Sequence, residues 1–187
     1  MTLEALAICL IAAVESAGVE FMVVGAVAAG AYGVPHSTRD VDLLISAKVA
    51  GGIAAVIGKL DPVVQFDNQI VFDTLTRGRR PVGLSRSTPP FKVELFEMLD
   101  DPFVKSEFAR RQHVFVPALS RATWLPTPED VIVQKLRWGR SKDLDDACDV
   151  LAVQSPSALD MAYIQNWCMQ HGTEKRLQTA LAGIPPL

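Results

Sequence analysis

The segment Asp40-Val41-Asp42-Leu43-Leu44-Ile45 constrains this chain more than any other. Its β-forming residues read as a strand, and residues two apart on a strand share a face. Asp40 and Asp42 then project side by side, while Val41 and Leu43 turn into the core. Two neighbouring carboxylates repel each other and are costly to desolvate unless a cation lies between them. Oxygen donors on a rigid strand suit Mg²⁺, which also takes phosphate oxygens as ligands. In the plainer alternative Asp40 ends a loop, Asp42 meets solvent and nothing binds. An acid set among Val, Leu and Ile without a partner is costly on those terms.

Upstream, Phe21 to Val24 reads as a short apolar strand ending at Gly25. A helix of small residues follows from Ala26 to about Tyr32, closed by Gly33 and Pro35. A helix opening after glycine offers unpaired N–H groups and a positive partial charge, an arrangement that binds phosphate. Taken alone, Gly25 asks for no more than a tight turn. The acidic strand after the same helix places phosphate and metal on one side.

The remaining pattern is an α/β half followed by helices. Leu3, Leu6, Leu10 and Val14 recur at helical spacing, and the run from Ala5 to Val14 is far too short to span a membrane. No basic n-region precedes it, so it reads as a core helix of a cytoplasmic protein with no membrane partner. A helix is expected over Val49–Leu60, extended runs over Val63–Phe66, Gln69–Leu75 and Phe91–Phe96, and a helix over Asp101–Gln112. Extended pieces around Val114 and Trp124 lead to Thr127-Pro128-Glu129-Asp130, a strong helix start. Helices then run to Ala182, with breaks near Ser141, Ser155-Pro156 and Gly172. The division expected is an α/β core over 1–126 and a helical region over 127–187. A net charge of −3 argues against a protein that coats DNA. Cys9, Cys148 and Cys168 stand far apart among apolar neighbours, which argues against a zinc cluster or a disulfide framework.

Lys135 stands out within the helix that begins at Thr127. Val131, Ile132, Leu136 and Gly139 share one face, and Lys135 lies in the middle of it. It either snorkels outward or meets an anion. Arg77, Arg79, Arg80, Arg86 and Lys92 form a run with no intervening acid. Such a run is either an exposed hairpin or a surface for a polyanion such as RNA.

Gly25-Ala26, thirteen further residues, then Asp40-Val41-Asp42-Leu43 resembles the signature of the nucleotidyltransferase superfamily. The run from Tyr32 to Asp40 is similar to one branch, the AbiEii-like nucleotidyltransferase toxins of type IV toxin–antitoxin systems and their relatives. Glu129 to Leu136 and Arg140 to Asp146 resemble that branch's later motif, a helical Lys followed by Arg-x-x-Asp-Leu-x-Asp. The resemblance implies an α+β nucleotidyltransferase (polymerase β-like) fold with a mixed central sheet flanked by helices. It also implies Mg²⁺, with Mn²⁺ as substitute, held by Asp40, Asp42 and a third carboxylate. Glu94 is the candidate for the third, although an Asp is commoner there. A cross-strand Lys/Glu pair at Lys92 and Glu94 is the alternative reading. Gly25, Ala26, Thr38, Arg39, Lys135 and Arg140 would bind the nucleotide, with Ala26 where the family carries Gly or Ser. Lys135 would also join Asp40 and Asp42 in catalysis. Asp143 would be a further catalytic-site acid, or would simply favour the start of its helix. The implied activity is transfer of a nucleotide from an NTP to a hydroxyl of tRNA or protein, with a cognate antitoxin as partner. A drug-modifying enzyme and a catalytically silent nucleotide- or antitoxin-binding protein are the rivals.

Overall fold

The strand expected over residues 40–45 forms and lies inside a five-stranded mixed sheet. The computed structural model describes residues 1–46, 51–69 and 71–184. Sheet order is β1 (Phe21–Val24), β2 (Asp40–Ile45), β5 (Lys92–Glu97), β4 (Val82–Ser85), β3 (Val64–Phe66). β2 and β5 run parallel, and the other pairings are antiparallel. A second, two-stranded sheet pairs β6 (Gln112–Val116) with β7 (Arg121–Leu125).

Alternation along β2 and β5 separates two faces. Val41, Leu43, Ile45, Val93 and Leu95 are fully buried on one of them. The first helix, α1 (Leu3–Ser16), packs against β2 and against α3 (Gly52–Leu60). The Thr2 hydroxyl caps α1 by accepting from the Ala5 N–H at 3.1 Å, and Leu6, Leu10 and Val14 are buried as their spacing requires. The opposite face carries Asp40, Asp42, Lys92 and Glu94. Around it stand α2 (Gly25–Tyr32), α4 (Pro102–Arg110) and α5 (Pro128–Trp138).

α5 begins where the sequence places it, with the Thr127 hydroxyl accepting from the Asp130 N–H at 3.3 Å. It packs on α6 (Ser141–Gln154) and α7 (Met161–His171), and α8 (Glu174–Ala182) packs on α6 and α7. Contacts of α2 with α5 and α6 join these helices to the sheet. All three cysteines are free. No helix among the described residues is long and apolar enough to cross a membrane.

One expectation shifts, one strand is added and one boundary is left untested. The run from Gln69 to Leu75 makes only an isolated bridge between Phe72 and Arg79, and position 70 lies outside the described residues. The reason is local: Asp73 Oδ1 accepts from the N–H groups of Leu75 and Thr76 and from the Thr76 hydroxyl, which folds the chain into a turn. β4, not expected from the sequence, takes the place in the sheet between β3 and β5. Positions 49 and 50, expected to open α3, lie outside the described residues.

Candidate active site

Parallel pairing of β2 with β5 sets Asp40 opposite Lys92 and Asp42 opposite Glu94. In-register residues of a parallel pair share a face, so three carboxylates and one ammonium converge. Lys92 Nζ lies 3.4 Å from Asp40 Oδ2 and 2.9 Å from Glu94 Oε2. Arg80 approaches the other Glu94 oxygen, Oε1, at 3.4 Å. Asp42 differs, since its Oδ1 is buried without any hydrogen-bond partner. Burial first, and then the charges of Glu94 and Asp40, push its carboxyl up to about 7.

Gly25 stands against this carboxylate. Val24 pairs with Asp42 across β1 and β2, and the chain turns at Gly25 with φ at +67°. A Cβ there would collide with Asp42 Oδ2 and lie 3.0 Å from Asp42 Cγ, so only glycine fits. The Thr38 hydroxyl accepts from the Asp40 N–H at 3.2 Å and fixes the entry to β2.

Lys135 meets anions rather than snorkelling. Its side chain is 9% exposed, and Nζ donates to Asp146 Oδ2 at 2.5 Å and to Asp143 Oδ1 at 3.4 Å. Asp143 is fully buried and also accepts from Arg140: Nε at 2.6 Å, a terminal nitrogen at 3.1 Å and the backbone N–H at 3.2 Å. Burial alone would raise the Asp143 carboxyl. Hydrogen bonds from Arg140 and the charge of Lys135 outweigh it and hold the carboxyl below its ordinary value. Asp143 thus starts its helix and orients two cations at once.

A cavity of about 430 Å³ opens over this face. Of the residues singled out from the sequence as site residues, all but Arg39 line it. Arg39 is exposed, and its backbone carbonyl accepts the Lys92 N–H at 2.8 Å. The basic run does not form one surface. Arg80 and Lys92 turn into the cavity, Arg86 bonds the Asp61 carbonyl at 3.1 Å, and Arg77 and Arg79 are exposed.

Some lining groups carry no distinguishing signal in the sequence. Arg80 is one cation among several in a run, and Asp146 one acid among several on α6. Asp73 is buried, with Oδ1 holding its turn and Oδ2 left without a partner. Glu107 lies on α4 and is also buried; burial, and then the charge of Asp130, raise its carboxyl well above the ordinary value. A lone Glu in an amphipathic helix gives no hint of that position.

Asp40 and Asp42 fit a hard cation, because they offer oxygen donors and one buried oxygen that lacks a partner. Both Glu94 oxygens already face a cation. Among the described residues no group of three His, Cys, Asp or Glu side chains is placed to hold a metal ion.

No protein-family model and no curated protein matches the sequence. Solved structures do match in shape. The antibiotic-resistance factor ANT(2'')-Ia, in a solution structure, superposes with a TM-score of 0.61 at 11% identity over 94% of each chain. A crystal structure of ANT(2'')-Ia with adenylyl-2''-tobramycin gives 0.59 at 12% identity, over 94% of this chain and 99% of that one. An antigenic nucleotidyltransferase-like protein from Paracoccidioides brasiliensis gives 0.60 at 18% identity, over 98% of this chain and 94% of that one. Identities this low carry the architecture and leave the chemistry to the residues of the site. The mixed sheet and its flanking helices are those of a nucleotidyltransferase fold.

Proposed function

We propose that this chain is a nucleotidyltransferase that moves a nucleotide from an NTP to an acceptor hydroxyl. The observation that carries the reading is the convergence of Asp40 and Asp42 with Gly25 and Lys135 on one cavity. In this reading Asp40 and Asp42 would hold Mg²⁺, or Mn²⁺ in its place. Bound there, the ion would neutralise the phosphates and lower the pKa of the attacking hydroxyl. The start of α2, at Gly25 and Ala26, offers N–H groups and a positive partial charge to the triphosphate. An ammonium has three donors; Asp143 and Asp146 take two from Lys135, leaving one for a phosphate oxygen.

The acceptor oxygen attacks the α-phosphorus and forms the new P–O bond. The bond to the β-phosphate oxygen breaks and pyrophosphate leaves, while a carboxylate of the cluster takes the hydroxyl proton. Lys135 and Arg140 then balance charge on the leaving group, with Asp143 as their positioning residue. The helical region from residue 127 onward contributes this cationic wall, and the core contributes the carboxylates.

The acceptor separates two versions of this reading. The resemblance to toxin-like enzymes favours tRNA or protein, with an antitoxin as partner. The cavity favours a small amine-bearing acceptor, because nine acidic side chains line it against five of Lys or Arg. A polyanion would meet that balance unfavourably. ANT(2'')-Ia, whose structure contains adenylyl-2''-tobramycin, is one shape relative that fits the second version.

The test is incubation with each α-labelled NTP and Mg²⁺, with tRNA, with cell protein, or with tobramycin as a probe amine. Mg²⁺-dependent label on tobramycin would support the cationic acceptor, and label on tRNA or protein the toxin-like one. NTP binding without transfer to any acceptor would indicate a silent member. The absence of both NTP binding and transfer would sink the proposal.

A further inference from the structure

Lys92 does more than pair with Glu94 along its own strand, because it also reaches a carboxylate on the next one. Register places it opposite Asp40 on the cavity face, and its ammonium is within ion-pair distance of Asp40 and Glu94 together. Arg80 lies beside the second oxygen of Glu94, so each oxygen of that carboxylate already faces a cation. Asp42 is the contrast. Its Oδ1 is buried and unpartnered, and no Lys or Arg among the described residues forms an ion pair with it. Three carboxylates therefore share two internal cations, and the unmatched charge sits at Asp42.

Resting on the nucleotidyltransferase reading above, we propose that the Lys92 ammonium is a built-in second cation of this site. The Asp40–Asp42–Glu94 cluster then takes one divalent ion, where three open carboxylates would offer ligands for a pair. Glu94 serves to hold Lys92 rather than to ligate metal. Asp40 is shared between Lys92 and the ion, while Asp42 is left for the ion alone. The ammonium has three donors for these two carboxylates, which leaves one for an oxygen bound in the cavity.

Counting bound Mn²⁺ tests this without reference to turnover. The intact protein is saturated with the α,β-methylene analogues of ATP, CTP, GTP and UTP, each in turn. Free Mn²⁺ is then measured by electron paramagnetic resonance as Mn²⁺ is added. One ion per chain is expected in the native protein and two in Lys92→Ala. Lys92→Gln, which keeps more of the stem packing, should also bind two. Two ions in the native protein, or one in both variants, would overturn the role of Lys92 and leave the nucleotidyltransferase reading standing. No ion in any of the three proteins, with any analogue, would overturn both.

Discussion

Gly25 and Asp42 are packed against each other so closely that the glycine has no room for a methyl group on the side facing the carboxylate. A backbone with φ at +67° and a carboxylate at the same spot impose glycine for two separate reasons.

A double-mutant cycle separates them. Gly25→Ala should cost about 1–2 kcal/mol from the left-handed backbone, and more from collision with Asp42. In an Asp42→Ala background the collision disappears and only the backbone part remains. Urea unfolding of the four proteins should give a coupling of about 0.5 kcal/mol or more. Additive values would show that the carboxylate does not press on Gly25 in solution.

Lys135→Met gives a result whose sign depends on tertiary structure. Judged from the sequence, the change sheds an awkward charge from an apolar helix face and should stabilise slightly. The pairing with Asp143 and Asp146 reverses this, because the substitution strips a sheltered cation from two acids. Breaking such a pair costs up to about 3–5 kcal/mol, and the remaining Arg140 bonds to Asp143 reduce the loss. Transfer should fall at least about tenfold, as expected for losing a charged hydrogen bond worth ~1.5–3 kcal/mol. Adding Asp146→Asn should recover stability but not transfer. Recovery of both would confine Lys135 to a structural role.

Glu107→Gln should change how stability varies with pH. Burial raises the folded carboxyl well above its ordinary value of 4.5, so the folded chain keeps a proton that the unfolded chain releases. Stability from this group is complete below the unfolded value and is lost as pH rises toward the folded one. Glutamine cannot ionise, so the variant should melt at a higher temperature than the native protein near pH 8. Near pH 4 the two should melt alike. An equal difference at both pH values would place the Glu107 carboxyl in water.

The acidic strand and the helix before it were legible because both obey local rules. Asp40 and Asp42 share a face through the two-residue period of a strand, and Thr127 starts α5 by a contact three residues long. The turn at Asp73 broke the rule of reading apolar runs as strands. There a single carboxylate satisfied three nearby donors more readily than a sheet partner could.

The sequence alone determined the face that Asp40 and Asp42 share, the helix that carries Lys135 and the succession of an α/β half and a helical half. Periodicity and capping act over a few residues, so one chain segment contains all that they need. Tertiary structure decided which charges meet. Only the parallel pairing of β2 with β5 brings Lys92 against Asp40, and only the packing of α5 on α6 brings Lys135 against Asp146. Ion pairing acts through distance in space, and no spacing along the chain encodes the distance between strands that lie far apart in sequence.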